Sequence, residues 1–281
     1  MDSATIQTIF ENIQIKTPLV HCITNYVTVN DCANILLACG GSPIMADDEA
    51  EAADITAICN ATVINIGTLN SRTVSSMVIA GKKANELGHP VVLDPVGAGA
   101  SALRTNTVKQ LLENVRFSVI RGNISEMKTI LTGTGTTRGV DADESDALTG
   151  DTLAEGVRTA KRIAEATGAV AVITGAIDIV TDGKSVYLIR NGHPAMSKIT
   201  GTGCMLSAMM GAYCGSNSPE AFAEAAALAV SLMGYAGELA AAKTEREGTG
   251  TGSMRISIID AVSRMTYEKL AGGMKLETIS K

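Results

Sequence analysis

The sequence predicts an α/β protein whose central sheet is mostly parallel and covered by helices on both faces. Short apolar runs alternate with helical patterns along the chain, an order typical of sheets built from strand–helix–strand units. Most of these runs are continuously apolar, as expected of strands buried on both faces. An Asp-Gly turn at 182–183 separates two further short apolar runs. It therefore predicts an antiparallel hairpin at an edge of the sheet.

Composition favours a single domain over residues 1–281. Hydrophobic residues make up 46% of the chain, and no internal repeat or composition break divides it. The net charge of −6 argues against a nucleic-acid partner, which requires clustered Lys and Arg. The sequence has no obvious apolar run of membrane-spanning length and no basic, apolar leader after Met1. We therefore expect a cytoplasmic protein without a membrane partner.

In the first half, each predicted strand is an apolar run that ends at polar residues or glycine. Each helix has apolar residues at a helical period, and the segment 29–39 stops at Gly40-Gly41, a common helix end. The predicted extended segments occupy 18–24, 41–45, 61–67, 91–94 and 118–123. The predicted helices occupy 4–13, 29–39, 47–53, 71–87, 101–113 and 126–131.

In the second half, one strong apolar strand, a hairpin and several Ala-rich helices are predicted. The strands occupy 169–175, 177–180 and 186–189. The helices occupy 151–167, 203–214, 219–242 and 254–271. Between the halves, residues 132–150 are rich in Gly, Thr, Asp and Ser, which predicts a surface loop.

The segment Thr200–Ala208 runs from a polar, Gly-rich turn directly into an apolar helix. Glycines permit close approach of a ligand to the backbone, and the free N–H groups of a helix's first turn face a bound anion. We expect the amides of Gly201, Thr202 and Gly203 to form an anion hole for a phosphoryl group in transfer. Cys204 lies in this first turn, where the pKa of a thiol tends to fall. Alternatively, Cys204 is a small buried apolar side chain.

Polar residues stand at the carboxyl ends of the predicted strands. Because ligands of such sheets bind beyond that edge, these side chains should converge on one crevice. They are Asn25, Asn65, Asp94, Arg121, Asn123 and Thr174.

Two carboxylates at this edge could serve a metal ion. Asp94 ends an apolar strand beside a small-residue loop and is placed to hold Mg²⁺, directly or through water. Glu126 follows Asn123 by three residues and could orient a second face of the ion. Each acid has an ordinary alternative, as a turn residue or as a partner of a helix dipole. Arg121 could bind nucleotide phosphates or form a surface ion pair, and Thr174 could contact a nucleotide or belong to an ordinary turn.

The joint pattern is more informative than any of its members. A phosphate turn, two spaced carboxylates, an arginine and Gly-rich loops at strand ends favour phosphoryl transfer from a nucleotide. No G-x-x-x-x-G-K-[ST] loop occurs, which excludes a P-loop enzyme.

Five segments form an ordered set: Pro18–Asn25, Gly41–Met45, Leu93–Ala98, Ile120–Asn123 with Glu126, and Thr200–Cys204. In order and spacing they resemble the motifs of the hydroxyethylthiazole kinases, a thiamine-salvage branch of the ribokinase-like superfamily. The resemblance covers nearly the whole chain. It implies a ribokinase-like fold and transfer of the γ-phosphoryl of ATP to the primary alcohol of 5-(2-hydroxyethyl)-4-methylthiazole. It also implies Mg²⁺ and a homotrimer with active sites between neighbouring subunits.

The resemblance further implies roles for individual residues. These are Asn25 and Met45 for the thiazole, Gly201 for its hydroxyl, Arg121 and Thr174 for ATP, and Asp94 and Glu126 for the metal. Cys204 stands where most ribokinase-like enzymes have an aspartate that accepts the alcohol proton. We expect Cys204 to aid the reaction modestly, while the amides and Mg²⁺ supply most of the rate. The loop 250–254 resembles its family counterpart only loosely.

Three other functions compete with this interpretation. Another kinase of the superfamily, for example one acting on hydroxymethylpyrimidine, usually keeps the aspartate that Cys204 replaces. A thiol-nucleophile enzyme built on Cys204 would need His21, His89 or His193 as its base. A non-catalytic thiazole sensor would leave the strand-end charges without a role.

Overall fold

A computed structural model describes residues 1–133 and 150–279, whose strands form one nine-stranded sheet. The strands are β1 (Leu19–Ile23), β2 (Ser42–Ile44), β3 (Ala61–Asn65), β4 (Val91–Asp94), β5 (Val119–Gly122), β6 (Val170–Ile173), β7 (Asp178–Thr181), β8 (Val186–Ile189) and β9 (Leu276–Ile279). Their spatial order is β2-β1-β3-β4-β5-β6-β7-β8-β9. Strands β1 to β6 are parallel, and β7 to β9 add antiparallel pairs. The predicted mostly parallel sheet is confirmed.

The helices of the described residues pack on the two faces of this sheet. They are α1 (Ser3–Lys16), α2 (Val29–Cys39), α3 (Ala52–Ile58), α4 (Ser71–Leu87), α5 (Ala102–Asn114), α6 (Ile124–Thr132), α7 (Gly150–Thr167), α8 (Thr202–Gly215), α9 (Phe222–Glu247), α10 (Thr251–Ser263) and α11 (Tyr267–Gly273). Helices α1, α2 and α8 to α11 enclose one apolar core, and α3 to α7 enclose the other.

Alternation along the strands divides the apolar side chains between the two cores. In β6, Val170 and Val172 belong to the core under α8 and α9, whereas Ala171 and Ile173 belong to the opposite core. Successive side chains of a strand point to opposite faces. A strand covered on both faces is therefore apolar at every position, which explains the continuous apolar runs in the sequence.

Several predicted boundaries are wrong. The acidic helix expected at 47–53 is a turn in which the Asp48 side chain accepts a hydrogen bond from the Ala50 N–H (2.9 Å), and α3 begins only at Ala52. The helix expected at 254–271 is two helices, because the Thr266 side chain caps a new helix by accepting the Lys269 N–H.

The antiparallel hairpin is confirmed, but it does not end the sheet. Strand β9 pairs with β8 and forms the edge. The surface loop predicted at 132–150 lies outside the described residues, apart from its ends, which belong to α6 and α7.

One segment qualifies as a membrane span by length and composition. In Pro219–Glu247, which includes α9, the most apolar window has a mean hydropathy of 1.4, so the expectation that no run approaches this length is wrong. However, 72% of that window is buried inside the protein, as in a helix of the core.

Candidate active site

Strands β3 and β4 end side by side in two polar residues. Asn65 and Asp94 are partners in the parallel register, and the Asn65 Nδ2 donates to Asp94 Oδ2 at 2.8 Å. Both side chains are buried. Ser207 of α8 donates a second hydrogen bond to the same oxygen at 2.9 Å. Asp94 therefore stands at the expected edge of the sheet, held from two different elements.

Helix α8 begins directly above these strand ends, and Cys204 lies in its first turn. The Cys204 Sγ accepts hydrogen bonds from Asn25 Nδ2 (3.2 Å) and from Asn65 Nδ2 (3.3 Å). Of the six cysteines, all within the described residues, Cys204 alone keeps partial exposure. The strand-end residues Asn25, Asn65 and Asp94 thus meet the helix N-terminus in one crevice, as predicted.

The expectation that the pKa of Cys204 falls is wrong. Burial raises the pKa of this thiol above its ordinary value, and the nearby Asp94 charge raises it further, while hydrogen bonds from Thr28 and Asn25 act in the opposite direction. The positive end of a helix favours a thiolate, but here a buried site and a neighbouring carboxylate outweigh it. Cys204 is accordingly a neutral thiol near pH 7.

Two glycines at the start of α8 lie very close to neighbouring side chains. Gly201, the N-cap, has φ +91°, and a Cβ there would lie 2.5 Å from Thr28 Cγ2. At Gly203 a Cβ would lie within 2.7 Å of Arg121 Nη2. Gly203 therefore lies beside the guanidinium of Arg121, and the first N–H groups of α8, like those of any helix, have no intrahelical acceptor.

Arg121 links the crevice to β6. Its Nη2 donates to Thr174 Oγ1 at 2.7 Å, and its Nη1 lies 3.6 Å from Asp94 Oδ1. Burial raises the pKa of Asp94 although the Arg121 charge opposes it. Among the described residues, neither Asp94 Oδ1 nor Arg121 Nε has a hydrogen-bond partner. The pair is thus incompletely satisfied, with Asp94 fully buried and Arg121 half-buried. Burying charges with unmet hydrogen bonds costs free energy, so this is a place where an anion and a cation could bind.

Glu126 has a structural role. With Asn123 it forms the capping box of α6: the Glu126 N–H donates to Asn123 Oδ1 (2.9 Å), and the Asn123 N–H donates to Glu126 Oε2 (2.8 Å). Its Oε1 accepts the Gly97 N–H at 2.8 Å. Burial, followed by the Asp94 charge, raises the pKa of Glu126 to about 7. Glu126 therefore stabilises the loop after β4, and it lies close enough to Asp94 for the charge of that carboxylate to affect its pKa.

The oxygens at this edge fit Mg²⁺, but only in part. In residues 1–133 and 150–279, no three His, Cys, Asp or Glu side chains are grouped to hold a metal. Asp94 offers one oxygen free of hydrogen bonds and Glu126 a second carboxylate nearby. Mg²⁺ usually keeps several waters and binds substrate phosphates besides one or two carboxylates. The ion would thus take most of its ligands from a nucleotide and water.

Met45 and the histidines lie less centrally. Met45 follows edge strand β2 and is half-buried, at the same end of the sheet as Asp94. The next carbonyl, of Ala46, accepts a hydrogen bond from His21 Nε2 (2.7 Å), whose other ring nitrogen contacts Thr56. His193 caps a 3₁₀ turn, and His89 precedes β4 at the opposite end of the sheet. No histidine hydrogen bond to Cys204 is found in the described part of the chain, so the thiol-nucleophile alternative lacks its base.

Asp178 is a site residue that the sequence analysis missed. It begins β7, directly across from the end of β6, and its Oδ1 accepts the Gly175 N–H at 2.9 Å. Burial raises the pKa of Asp178 to about 7, with the Arg121 charge acting in the opposite direction. This carboxyl closes the turn that presents Thr174 to Arg121. The only signal in the sequence is an acid four residues after Thr174.

The raised pKa of Asp178 predicts a pH-dependent stability. The native state binds this proton more tightly than the unfolded state, so stability is present below pH 3.8 and is lost as pH rises through about 7. Asp178→Asn keeps the acceptor for Gly175. Because the side chain keeps some exposure, we expect the variant to be about 1–2 kcal/mol more stable than the parent at pH 8.

Urea denaturation at pH 4 and pH 8 measures this difference. At pH 4 the advantage of Asp178→Asn should vanish. Asp182→Asn, in the exposed turn of the same hairpin, is the matched control for removing one carboxylate. An Asp178→Asn variant that is equally stable relative to the parent at both pH values would contradict the assignment.

Comparisons with known proteins agree with this architecture. A sequence model of the hydroxyethylthiazole kinase family matches residues 10–268. A hydroxyethylthiazole kinase of Clostridium beijerinckii is 55% identical over 277 residues, which cover 99% of this chain and 98% of the relative.

Solved structures extend the comparison to the fold. A hydroxyethylthiazole kinase structure from Pyrococcus horikoshii has a TM-score of 0.84 at 33% identity, covering 99% of this chain and 100% of that one. A ribokinase-like superfamily protein from Enterococcus faecalis, at 12% identity and a TM-score of 0.60, covers 96% of this chain and 95% of its own, and shares the fold alone. Since the family match spans most of the chain, this protein belongs to the hydroxyethylthiazole kinase family.

Proposed function

We propose that this protein transfers the γ-phosphoryl of ATP to the primary alcohol of 5-(2-hydroxyethyl)-4-methylthiazole, as a step of thiamine salvage in the cytoplasm. Family membership supports the reaction. The observation that carries it within the structure is the incompletely satisfied Asp94–Arg121 pair beneath the free amides of α8. Phosphoryl transfer requires mainly positioning and charge stabilisation, and these groups provide both. Residues 1–281 would act as one kinase domain.

In this mechanism ATP lies along Arg121 and Thr174, and the alcohol lies near Gly201. Arg121 would pair with phosphate oxygens, and the N–H groups of Gly201, Thr202 and Gly203 would face the charge that develops on the transferred group. Mg²⁺, when bound near Asp94 and Glu126, neutralises phosphate charge.

The thiazole side of the site would be formed by Asn25 and Met45. Asn25 is fixed by its hydrogen bonds to Asn65 and Cys204. Met45 is half-buried at the carboxyl end of β2 and offers an apolar, adaptable contact for a small heteroaromatic ring.

A homotrimer with sites between subunits is part of the same proposal. Tyr26 and Val27, which follow Asn25, are 61% and 64% exposed, although the tyrosine ring and the valine side chain are hydrophobic. A neighbouring subunit that covers them would also close the substrate side of the crevice. Light scattering tests this assembly, since three chains of 29.0 kDa should give about 87 kDa.

The reaction is tested by ADP release with Mg-ATP and a panel of alcohols. We expect turnover with hydroxyethylthiazole and little with hydroxymethylpyrimidine, pyridoxal or ribose. Preference for another alcohol would support kinase activity but refute hydroxyethylthiazole as the substrate. Thiazole binding without turnover on any alcohol would refute the enzyme and favour a thiazole sensor.

Substitutions of Cys204 test its modest role. A neutral thiol is a poor base, so Cys204→Ser should keep kcat within about 100-fold of the parent. Cys204→Asp should equal or exceed the parent, because the Asn25 and Asn65 amides that donate to Sγ would also serve a carboxylate. Cys214→Ser, at a buried position of the same helix, should lower stability but not kcat. Loss of all turnover in both Cys204 variants, with fold and substrate binding intact, would contradict this role.

A further inference from the structure

The Asn65 side chain lies at the centre of the crevice and uses its whole hydrogen-bonding capacity. Its Nδ2 donates to Asp94 Oδ2 (2.8 Å) and to Cys204 Sγ (3.3 Å). Its Oδ1 accepts from Asn25 Nδ2 (3.0 Å) and from the Gly67 N–H (2.9 Å). A primary amide has two N–H donors and two acceptor lone pairs, and in Asn65, which is 2% exposed, all four are engaged.

We propose that Asn65 is a positioning residue for phosphoryl transfer, whose single NH₂ group holds the Cys204 sulfur and the Asp94 carboxylate at a fixed separation. The three elements it joins are the end of β4, the first turn of α8 and the loop after β1. The proposal rests on the proposed roles of Asp94 and Cys204. An aspartate at position 65 would lack the two N–H donors, and a serine side chain would be too short to contact both Cys204 and Asp94.

Other contacts distinguish this role from that of a general structural residue. Asp94 Oδ2 keeps its bond from Ser207, and Cys204 Sγ keeps its bond from Asn25. Each group is therefore still held when Asn65 is changed. Among the residues that the structure describes, Asn65 is the side chain with hydrogen bonds to both. Its loss should disturb their relative placement, and hence kcat, more than the binding of either substrate.

Asn65→Asp is the first test, because it keeps the shape and the acceptor oxygen and removes both donors. It also places a second carboxyl group beside Asp94, whereas Asn65→Ala, used below, removes the donors without that addition. We expect kcat to fall about 100-fold or more, with the KM values for ATP and thiazole alcohol within about threefold of the parent. Asn12→Asp is the matched control. Its Nδ2 donates to a single side-chain acceptor, Asn217 Oδ1, just beyond the far end of α8 (2.8 Å), and the kcat of this variant should be unchanged. A folded Asn65→Asp protein with kcat within threefold of the parent would overturn the proposal.

A double-mutant cycle keeps the test decisive if that variant does not fold. Asn65→Ala and Cys204→Ala are measured singly and together. If Asn65 acts through the thiol, the double variant should lose little more kcat than the more damaged single variant. A double loss equal to the product of the single losses would overturn the proposal, as would full kcat in Cys204→Ala. Full activity of Asp94→Asn would instead refute the proposed active site, and not only the role of Asn65.

Discussion

Asp94→Asn should lower kcat/KM by at least about 1,000-fold, the largest effect of any single change in this crevice. Asparagine has nearly the same shape and can keep one hydrogen bond from Ser207 or Asn65. It removes the charge that faces Arg121 and the oxygen proposed for Mg²⁺. Arg121 and Thr174 remain to bind ATP. The loss should therefore appear mainly in kcat and only weakly in the KM for ATP.

Steady-state kinetics with circular dichroism as a fold check measures this effect. Asp260→Asn is the matched control, since Asp260 forms an exposed ion pair with Lys243 (3.8 Å), and it should leave both constants within twofold. A folded Asp94→Asn enzyme within tenfold of the parent would show that this carboxylate carries no essential charge.

Gly203→Ala should impair ATP use while leaving the fold intact. The added methyl group would overlap the guanidinium of Arg121. This is the end of a flexible side chain, so it should move while the helix stays in place. The displaced arginine would lose its hydrogen bond to Thr174 and its position opposite Asp94. We expect the KM for ATP to rise about tenfold and kcat to fall about 100-fold.

Thermal unfolding separates this effect from simple instability. Alanine favours a helix over glycine by about 1 kcal/mol, so Tm should not fall by more than a few degrees. Gly272→Ala, in α11 with open space around the new methyl group, should change neither kinetic constant. If this mechanism is correct, the loss of activity in Gly203→Ala is caused by the displacement of Arg121. Adding Gly203→Ala to an Arg121→Ala background should then cost little further activity, and a full additional loss would contradict this mechanism.

The fold, and the meeting of the strand-end side chains at one edge of the sheet, were largely readable from sequence because both depend on local patterns. Continuous apolar runs marked the parallel strands, and the polar residues that end them had to meet at one edge. Asn65 and Asp94 meet there through the register of β3 and β4. The acidic segment at 47–53 and strand β9 were misread or missed, because a short charged run and the four residues Leu276–Ile279 carry almost no periodic signal.

The electrostatics of the site could not be read in the same way. The position of Cys204 in a first helical turn suggested a lowered pKa, but its pKa is raised because other elements bury the thiol and Asp94 lies nearby. Asp178 looked like an ordinary turn acid, and only the packed structure shows that it is half-buried with a raised pKa. Ser207 is only a polar residue within an apolar helix until its distance to Asp94 is known. These properties arise from contacts between distant segments, which no local pattern encodes.

The two edges of the sheet bear on how copies of this chain can associate. One edge, β2, is three residues long and contains Pro43, which has no N–H to donate. The other, β9, has four residues, and Glu277 and Thr278 are exposed. Short, polar or proline-containing edges are how β proteins resist edge-to-edge aggregation. If copies of this chain associate, these edges favour contacts through side chains and helices and disfavour pairing of sheet backbones into fibrils.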